Sequence, residues 1–332
     1  MATMRVDVQG GGPAGAAAAI AARMERASVH LRETRRMPRH KVCGEFLSPE
    51  IAPALERLGL WREFLAARPG RIERVALRFG SRSVRATLAE PAYGMSRFRF
   101  DELLFRRACS LDAEISDGVQ RETGSVSVLA SGRAASAVSP PRGKRLFGFK
   151  AHYRGPVTDA VELFFFSRCY VGVNTVEDGI TNVCGLAPED LLAPLDFDYD
   201  AMVDSFPPLR DRLRPMSRAM EWLSTGPLVF GTKLSAGVEG VYPAGDALLF
   251  VDPFTGSGLL NAVSSGRLAG IAAARGTAQG TYLQQCRKMF SRPFAVAGLC
   301  RTALAAHCAE FLAPLVPARL LFALTRTRMI ER

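Results

Sequence analysis

Arg5-Val6-Asp7-Val8-Gln9-Gly10-Gly11-Gly12-Pro13-Ala14-Gly15, an alanine-rich run to Ala22, and then Val29-His30-Leu31-Arg32-Glu33 read as strand, glycine turn, helix and second strand ending on an acid. This is a dinucleotide-binding fingerprint. Gly10, Gly12 and Gly15 carry the G-x-G-x-x-G spacing: the first for a tight turn, the second for close backbone approach to a pyrophosphate, the third for helix-on-strand packing. Pro13 and Ala14 open the helix whose first amides face the phosphates. Glu33 stands where a carboxylate accepts from a ribose 2′-hydroxyl and disfavours a 2′-phosphate. The plainer reading is a glycine-rich turn before an alanine-rich helix. Asp7 and Gln9 are polar misfits in the first strand.

The 332 residues are 48% hydrophobic and 23% charged, enough for a large core and two interleaved domains. No apolar run reaches the roughly 18 residues that span a bilayer. The chain enters its first strand at once, leaving no room for a signal peptide, so a cytoplasmic location is expected. The seven cysteines are scattered and never spaced as C-x-x-C, which indicates neither a disulfide framework nor a zinc site. The net charge of +11 suits nucleotides, an acidic carrier protein or an anionic membrane surface, although a solvated basic surface explains it as simply. No signature supports nucleic-acid binding.

Apolar spacing predicts a helix over 49–65 interrupted at Gly59, strands over 72–79 and 83–88 joined at Gly80-Ser81, a helix over 99–111 and a strand over 125–129. From Leu146 the pattern becomes extended: 146–153, 160–166, 169–176 and 180–186, with a hairpin at Asp178-Gly179. The large side chains of this antiparallel sheet, Phe149 and Phe165 among them, read either as plain core or as the lining of a ligand cavity. Residues 196–223 read as helical, broken by Pro207-Pro208. A second glycine motif follows: Val241-Tyr242-Pro243-Ala244-Gly245-Asp246-Ala247, then Val251-Asp252-Pro253-Phe254-Thr255-Gly256-Ser257-Gly258-Leu259. Here a strand ends on an acid able to hold a sugar or ribityl hydroxyl, and a new helix start offers amides and a positive dipole end. The helical pattern of 293–332 suggests a cap.

These glycine motifs, with Ser96-Arg97-Phe98-Arg99-Phe100-Asp101-Glu102-Leu103-Leu104 between them, resemble the FAD-dependent oxidoreductases of the p-hydroxybenzoate hydroxylase fold. The resemblance is strongest to the branch of geranylgeranyl reductases and flavin-dependent halogenases, and it runs over nearly the whole chain. It implies an α/β fold: a Rossmann-like, glutathione-reductase-like FAD domain (1–60, 94–145 and 236–292) interleaved with an antiparallel-sheet substrate domain (61–93 and 146–235), and then a helical segment (293–332). Gly10, Gly12, Gly15 and Glu33 would hold the ADP half and Arg97 would lie along the FAD. Asp246 would bind near the pyrophosphate and ribityl chain. Pro253 and Gly256-Ser257-Gly258, with Leu259 beyond them, would border the isoalloxazine.

Lys41-Val42-Cys43-Gly44-Glu45-Phe46 resembles the loop that lies beside the flavin in these folds. Two readings stand for Cys43: a proton donor or substrate-lining thiol with a lowered pKa, or a buried inert thiol. Glu45 reads as a substrate contact or a loop-fixing acceptor, and His152 as a cavity residue or a satisfied core histidine. Three departures from the family pattern stand out. Ser131-Gly132 replaces an Asp-Gly pair, the segment 118–140 is short, and Trp222 stands alone where halogenases carry Trp-x-Trp-x-Ile-Pro. The first two weaken a standard NAD(P)H docking mode; the third disfavours halogenation, which Lys41 does not rescue.

The expected activity is oxidation or hydroxylation of an apolar or aromatic metabolite by an FAD monooxygenase, through a C4a-hydroperoxyflavin, with NADH or NADPH as donor. The alternatives are flavin-dependent reduction of a carbon–carbon double bond and a non-catalytic flavin- or metabolite-binding protein.

Overall fold

Short β-branched strands separated by alanine-rich helices build a five-stranded parallel sheet. In the computed structural model, which describes residues 4–80, 82–117, 126–133, 145–228, 231–232, 239–250 and 256–290, strands are numbered along the chain. The parallel sheet holds β1 (Arg5–Gln9), β2 (Ser28–Arg32), β6 (Glu114–Ser116), β7 (Val126–Leu129) and β14 (Val241–Pro243), ordered β14-β7-β1-β2-β6. Helices α1 (Pro13–Met24), α4 (Arg97–Ser110) and α8 (Gly258–Ala274) share one core with it, built on Val6, Val8, Ile20, Leu31, Phe100 and Val263. The short helices α2 (Ile51–Glu56) and α3 (Trp61–Ala66) add Leu55 and Phe64 to the same core.

Alternation along β1 explains its polar misfits. Asp7 points away from the face of Val6 and Val8, is fully buried, and lies 3.9 Å from both His30 Nδ1 and Arg32 Nη2 on the neighbouring strand. Helices α1 and α8 meet at backbone distance: a Cβ on Gly266 would stand 2.1 Å from Ala14 O, and one on Gly270 2.2 Å from Ala18 O.

The second sheet has eight strands: β3 (Phe46–Leu47), β4 (Gly70–Phe79), β5 (Arg82–Gly94), β8 (Leu146–Arg154), β9 (Ala160–Phe166), β10 (Cys169–Thr175), β11 (Ile180–Pro188) and β12 (Ser217–Leu228). Their order is β12-β8-β11-β10-β9-β4-β5-β3, antiparallel except between β4 and β9. The β10–β11 hairpin turns on Asp178 (φ 56°) and Gly179 (φ 68°), the consecutive positive φ values that a tight hairpin needs. Phe149, Phe164, Val171 and Val183 face α6 (Tyr199–Asp204) and α7 (Pro207–Leu213), with α5 (Glu189–Leu192) beside them. The opposite face carries Val75, Leu77, Val161, Phe165, Tyr170 and Leu186. A two-stranded pair, β13 (Gly231–Thr232) with β15 (Leu249–Phe250), completes the strands.

The helix expected over 196–223 is corrected. Pro207 and Pro208 start α7 instead of breaking a helix, because proline at the first helical positions gives up no hydrogen bond. From Ser217 the chain pairs with β8 as β12, whose side chains alternate largely between exposed and half-buried. The C-terminal cap over 293–332, Pro253 and most of 118–140 lie outside the described residues. Among the described residues no helix is long and apolar enough to cross a membrane.

Replacing Gly270 by Ala sets a methyl against the Ala18 backbone, so the two helices must part. The expected cost is about 1–3 kcal/mol, the usual range for overpacking, seen as a lower urea midpoint with an unchanged m-value.

Candidate functional site

A cavity of about 1140 Å³ lies between the two sheets. It exceeds the roughly 300–1,000 Å³ of common small-molecule sites. Its walls differ at the two ends.

The polar end is built on the glycine turn. Gly10 (φ +103°) has no room for a Cβ, which would stand 2.4 Å from Ala130 O, and a Cβ on Gly15 would stand 1.7 Å from Gly10 O. Gly15 is therefore packed, while Gly10, Gly12, Pro13 and Ala14 line the cavity. A Cβ on Gly12 would point toward Lys41 Nζ (3.6 Å) and Arg97 Nη2 (4.0 Å), so backbone and cations face one space. No side chain caps α1, which leaves its first amides to that space. Glu33 also lines the cavity; its Oε2 accepts from Gly11 N at 2.8 Å and its Oε1 from Arg35 N at 3.0 Å.

Arg97 is clamped by Asp101 through two hydrogen bonds (2.6 and 2.7 Å), and Lys41 Nζ lies 3.3 Å from the same carboxylate. Burial opposes the Arg97 charge, but Asp101 outweighs it and raises the guanidinium pKa further. Gly245 and Asp246 reach this end from β14. Gly245 donates to Ser265 Oγ (2.9 Å) and packs so closely on α1 that a Cβ would meet Ala14 Cβ at 2.8 Å. Asp246 has exposed surface that belongs to the cavity wall; enclosure raises its carboxyl pKa, while Arg97, Arg133 and Lys41 pull it down. Gly256, Gly258 and Leu259 bring the uncapped start of α8 to the same cavity, and Ser257 is buried behind them.

At the centre, the loop 40–46 is pinned by Glu45, which adopts φ +52° with its side chain fully buried. One oxygen, Oε1, accepts from Arg97 N (2.5 Å) and from Lys150 Nζ; the other, Oε2, meets His152 Nε2 at 2.7 Å. Burial raises the Glu45 pKa, but the His152 hydrogen bond and the Lys150 charge outweigh it and hold the carboxyl below its usual range. Asn182 Nδ2 ties Gly44 O at 2.9 Å. Nitrogen or oxygen atoms of His40, Glu45 and His152 lie within 4.8 Å of one another. The Lys150 ammonium on the same carboxylate opposes a metal cation there.

The apolar end presents Val75, Leu77, Val161, Leu163 and Leu186, with Tyr170 beside them. Several expectations are corrected here. Phe149 lies on the opposite face of the sheet, stacked on Tyr199 at 5.0 Å, because strand alternation points it away from Gly148 and Lys150. Phe165 has the cavity-side parity but is stacked on Phe79 (4.7 Å) and is not part of the wall. His152 is a buried partner of Glu45, not a wall residue. Cys43 does line the cavity, yet burial pushes its thiol pKa up, against the lowered-pKa one of its two readings. Lys150, His40 and Arg133 were not singled out by the sequence; a lysine inside the apolar run 146–153 was the one visible signal.

Lys150→Met strands the Glu45 charge and is expected to cost about 3–5 kcal/mol; the Glu45→Gln/Lys150→Met double variant recovers most of it, as chemical denaturation would show. Glu45 is depressed in the folded state, so its stabilisation is complete above the ordinary value of 4.5 and fades as pH falls through the lower folded value. Glu45→Gln therefore flattens the acid limb of stability between those two values.

No family model matches the sequence, and no curated protein matches it. Solved structures do. The flavin-dependent brominase Bmp2 aligns with a TM-score of 0.75 at 20% identity, covering 98% of this chain and 95% of that one. A geranylgeranyl bacteriochlorophyll reductase-like protein from Thermoplasma acidophilum gives 0.75 at 18% identity, covering 97% and 94%. The myxobacterial chondrochloren halogenase CndH gives 0.73 at 20% identity, covering 98% and 93%. Halogenating and reductase-like proteins stand together here, so the lone Trp222 does not set halogenation aside as the sequence reading had it. The chain has the fold shared by flavin-dependent halogenases and this reductase-like protein.

Proposed function

We propose that the chain is an FAD-dependent oxidoreductase acting on an apolar small molecule. The observation that carries this reading is a single cavity with a nucleotide-type cradle at one end and an aliphatic wall at the other. The residues fit FAD: Gly12 leaves open space before two cations, α1 and α8 start at the wall without side-chain caps, and Glu33 and Asp246 offer carboxylate oxygens to hydroxyl groups. When bound, FAD supplies two-electron redox chemistry.

In this scheme Gly12, Glu33, Arg97 and Asp246 hold the cofactor, and the amides starting α8 favour negative charge at the reacting end. Val75, Leu77, Val161 and Leu163 hold the substrate and keep water from it. Within this class we favour oxygen insertion into the apolar molecule, with NADH or NADPH as electron donor. Double-bond reduction is the second reading, favoured by Cys43: its raised pKa keeps the thiol protonated at the cavity wall, as a proton donor requires.

The purified protein is expected to hold FAD, and Glu33→Ala to weaken FAD binding about tenfold or more, roughly 1.4 kcal/mol, as flavin fluorescence would read. Anaerobic turnover of an apolar substrate by the reduced protein, abolished in Cys43→Ser, would replace oxygen insertion by the reductase reading. FAD bound but reducible by neither nicotinamide donor would indicate a binding protein, and no FAD binding would overturn the enzyme readings together.

A further inference from the structure

We propose that His40 is a catalytic acid–base residue of the cavity, and that His152 and Glu45 position it from behind. The proposal rests on the flavoenzyme reading above. His40 is exposed and lines the cavity. Its ring is fixed on two sides: stacked on Phe98 at 5.2 Å and 29°, and edge-on to His152 at 5.3 Å and 88°. His152 is in turn fixed by its 2.7 Å hydrogen bond to Glu45, whose other oxygen is occupied by Lys150 and the Arg97 amide. This is an ordered series, carboxylate, imidazole, imidazole, that ends at the cavity wall. One nitrogen or oxygen atom of each of the three groups lies within 4.8 Å of the other two, a span that one bridging water covers with two hydrogen bonds.

The ionic surroundings suit the role. Burial, Lys150 and His152 disfavour a second proton on His40, and only Glu45 favours it, so the ring is held neutral at a lower pH than an ordinary histidine. A neutral ring has one nitrogen that accepts and one that donates. A proton that His40 takes from a molecule in the cavity leaves to water or is shared toward His152, and the neutral ring is restored; no electron moves in this step. The Lys150–Glu45 pair and the Asn182 hydrogen bond pin the loop 40–46 independently of His40, so the imidazole is free for chemistry.

The test needs no known substrate. Returning the anionic reduced flavin to its oxidised form with oxygen releases the one proton at ring N5, and a second proton taken from solvent joins it to complete hydrogen peroxide. His40→Gln is expected to keep FAD stoichiometry and melting temperature while slowing this reoxidation about 10²–10⁴-fold and removing its pH dependence near the His40 titration. Added imidazole should restore part of the rate in His40→Gly. The chain has four histidines, so ring resonances are assignable by substitution. His152→Gln should then move the His40 titration upward, because His152 is one of the groups that disfavour its second proton, and the pH dependence of reoxidation should move with it. Reoxidation within about threefold of the parent with an unchanged pH profile overturns the proposal, as does an unmoved His40 titration in His152→Gln or a stoichiometric transition metal held by the purified protein. Failure of the parent protein to bind FAD is seen before any variant is made, and overturns the flavoenzyme reading and this proposal with it.

Discussion

The buried carboxylate of Glu45 is the contact through which the antiparallel sheet, helix α4 and the loop 40–46 are fixed together. Its partners come from two elements: Lys150 and His152 on β8, and the backbone of Arg97 at the start of α4. A charge removed from water is tolerated only when it is paired and its remaining oxygen sites are satisfied. Glu45 meets both conditions, so the antiparallel sheet, α4 and the loop 40–46 are held in one arrangement. Ser96, which caps α4 one residue earlier, is tied in the same way by buried Glu177. The cavity thus opens between parts that are locked together on both flanks.

Close backbone packing does for the polar end of the cavity what ion pairing does for the centre. Gly15, Gly245 and Gly266 each remove a side chain where the chain turns on itself, and all three contacts converge on the first turn of α1. That turn is brought against β14 and α8 from more than two hundred residues away. Its amides are consequently aimed rather than left to fray.

Much of this was legible in the sequence because glycine spacing and strand periodicity are local signals. The glycine turn, Glu33, the Asp178-Gly179 hairpin and the strands from Leu146 to Leu186 needed only neighbours along the chain. What was missed depended on partners far away. Lys150 gains its meaning from Glu45, over a hundred residues earlier, and His40 gains its own from Phe98 and His152. Phe149 was misplaced because aromatic content does not say which face of a strand is the wall; only the register with Gly148 and Lys150 does. The run from 196 to 223 misled because paired prolines break helices in their interior yet begin them at their ends.

The parity of the second sheet has an evolutionary consequence. Each central strand carries wall residues and core residues at alternate positions, so that Leu163 faces the cavity while Phe164 faces the helices. Exchanges at Val75, Leu77, Val161 or Leu163 reshape the wall and the cluster these residues form with Phe165, Tyr170 and Leu186, and leave the layer of Phe164, Val171 and Val183 beneath untouched. The cavity in descendants of this chain can therefore change shape by single substitutions, without repacking the layer on which α6 and α7 are seated.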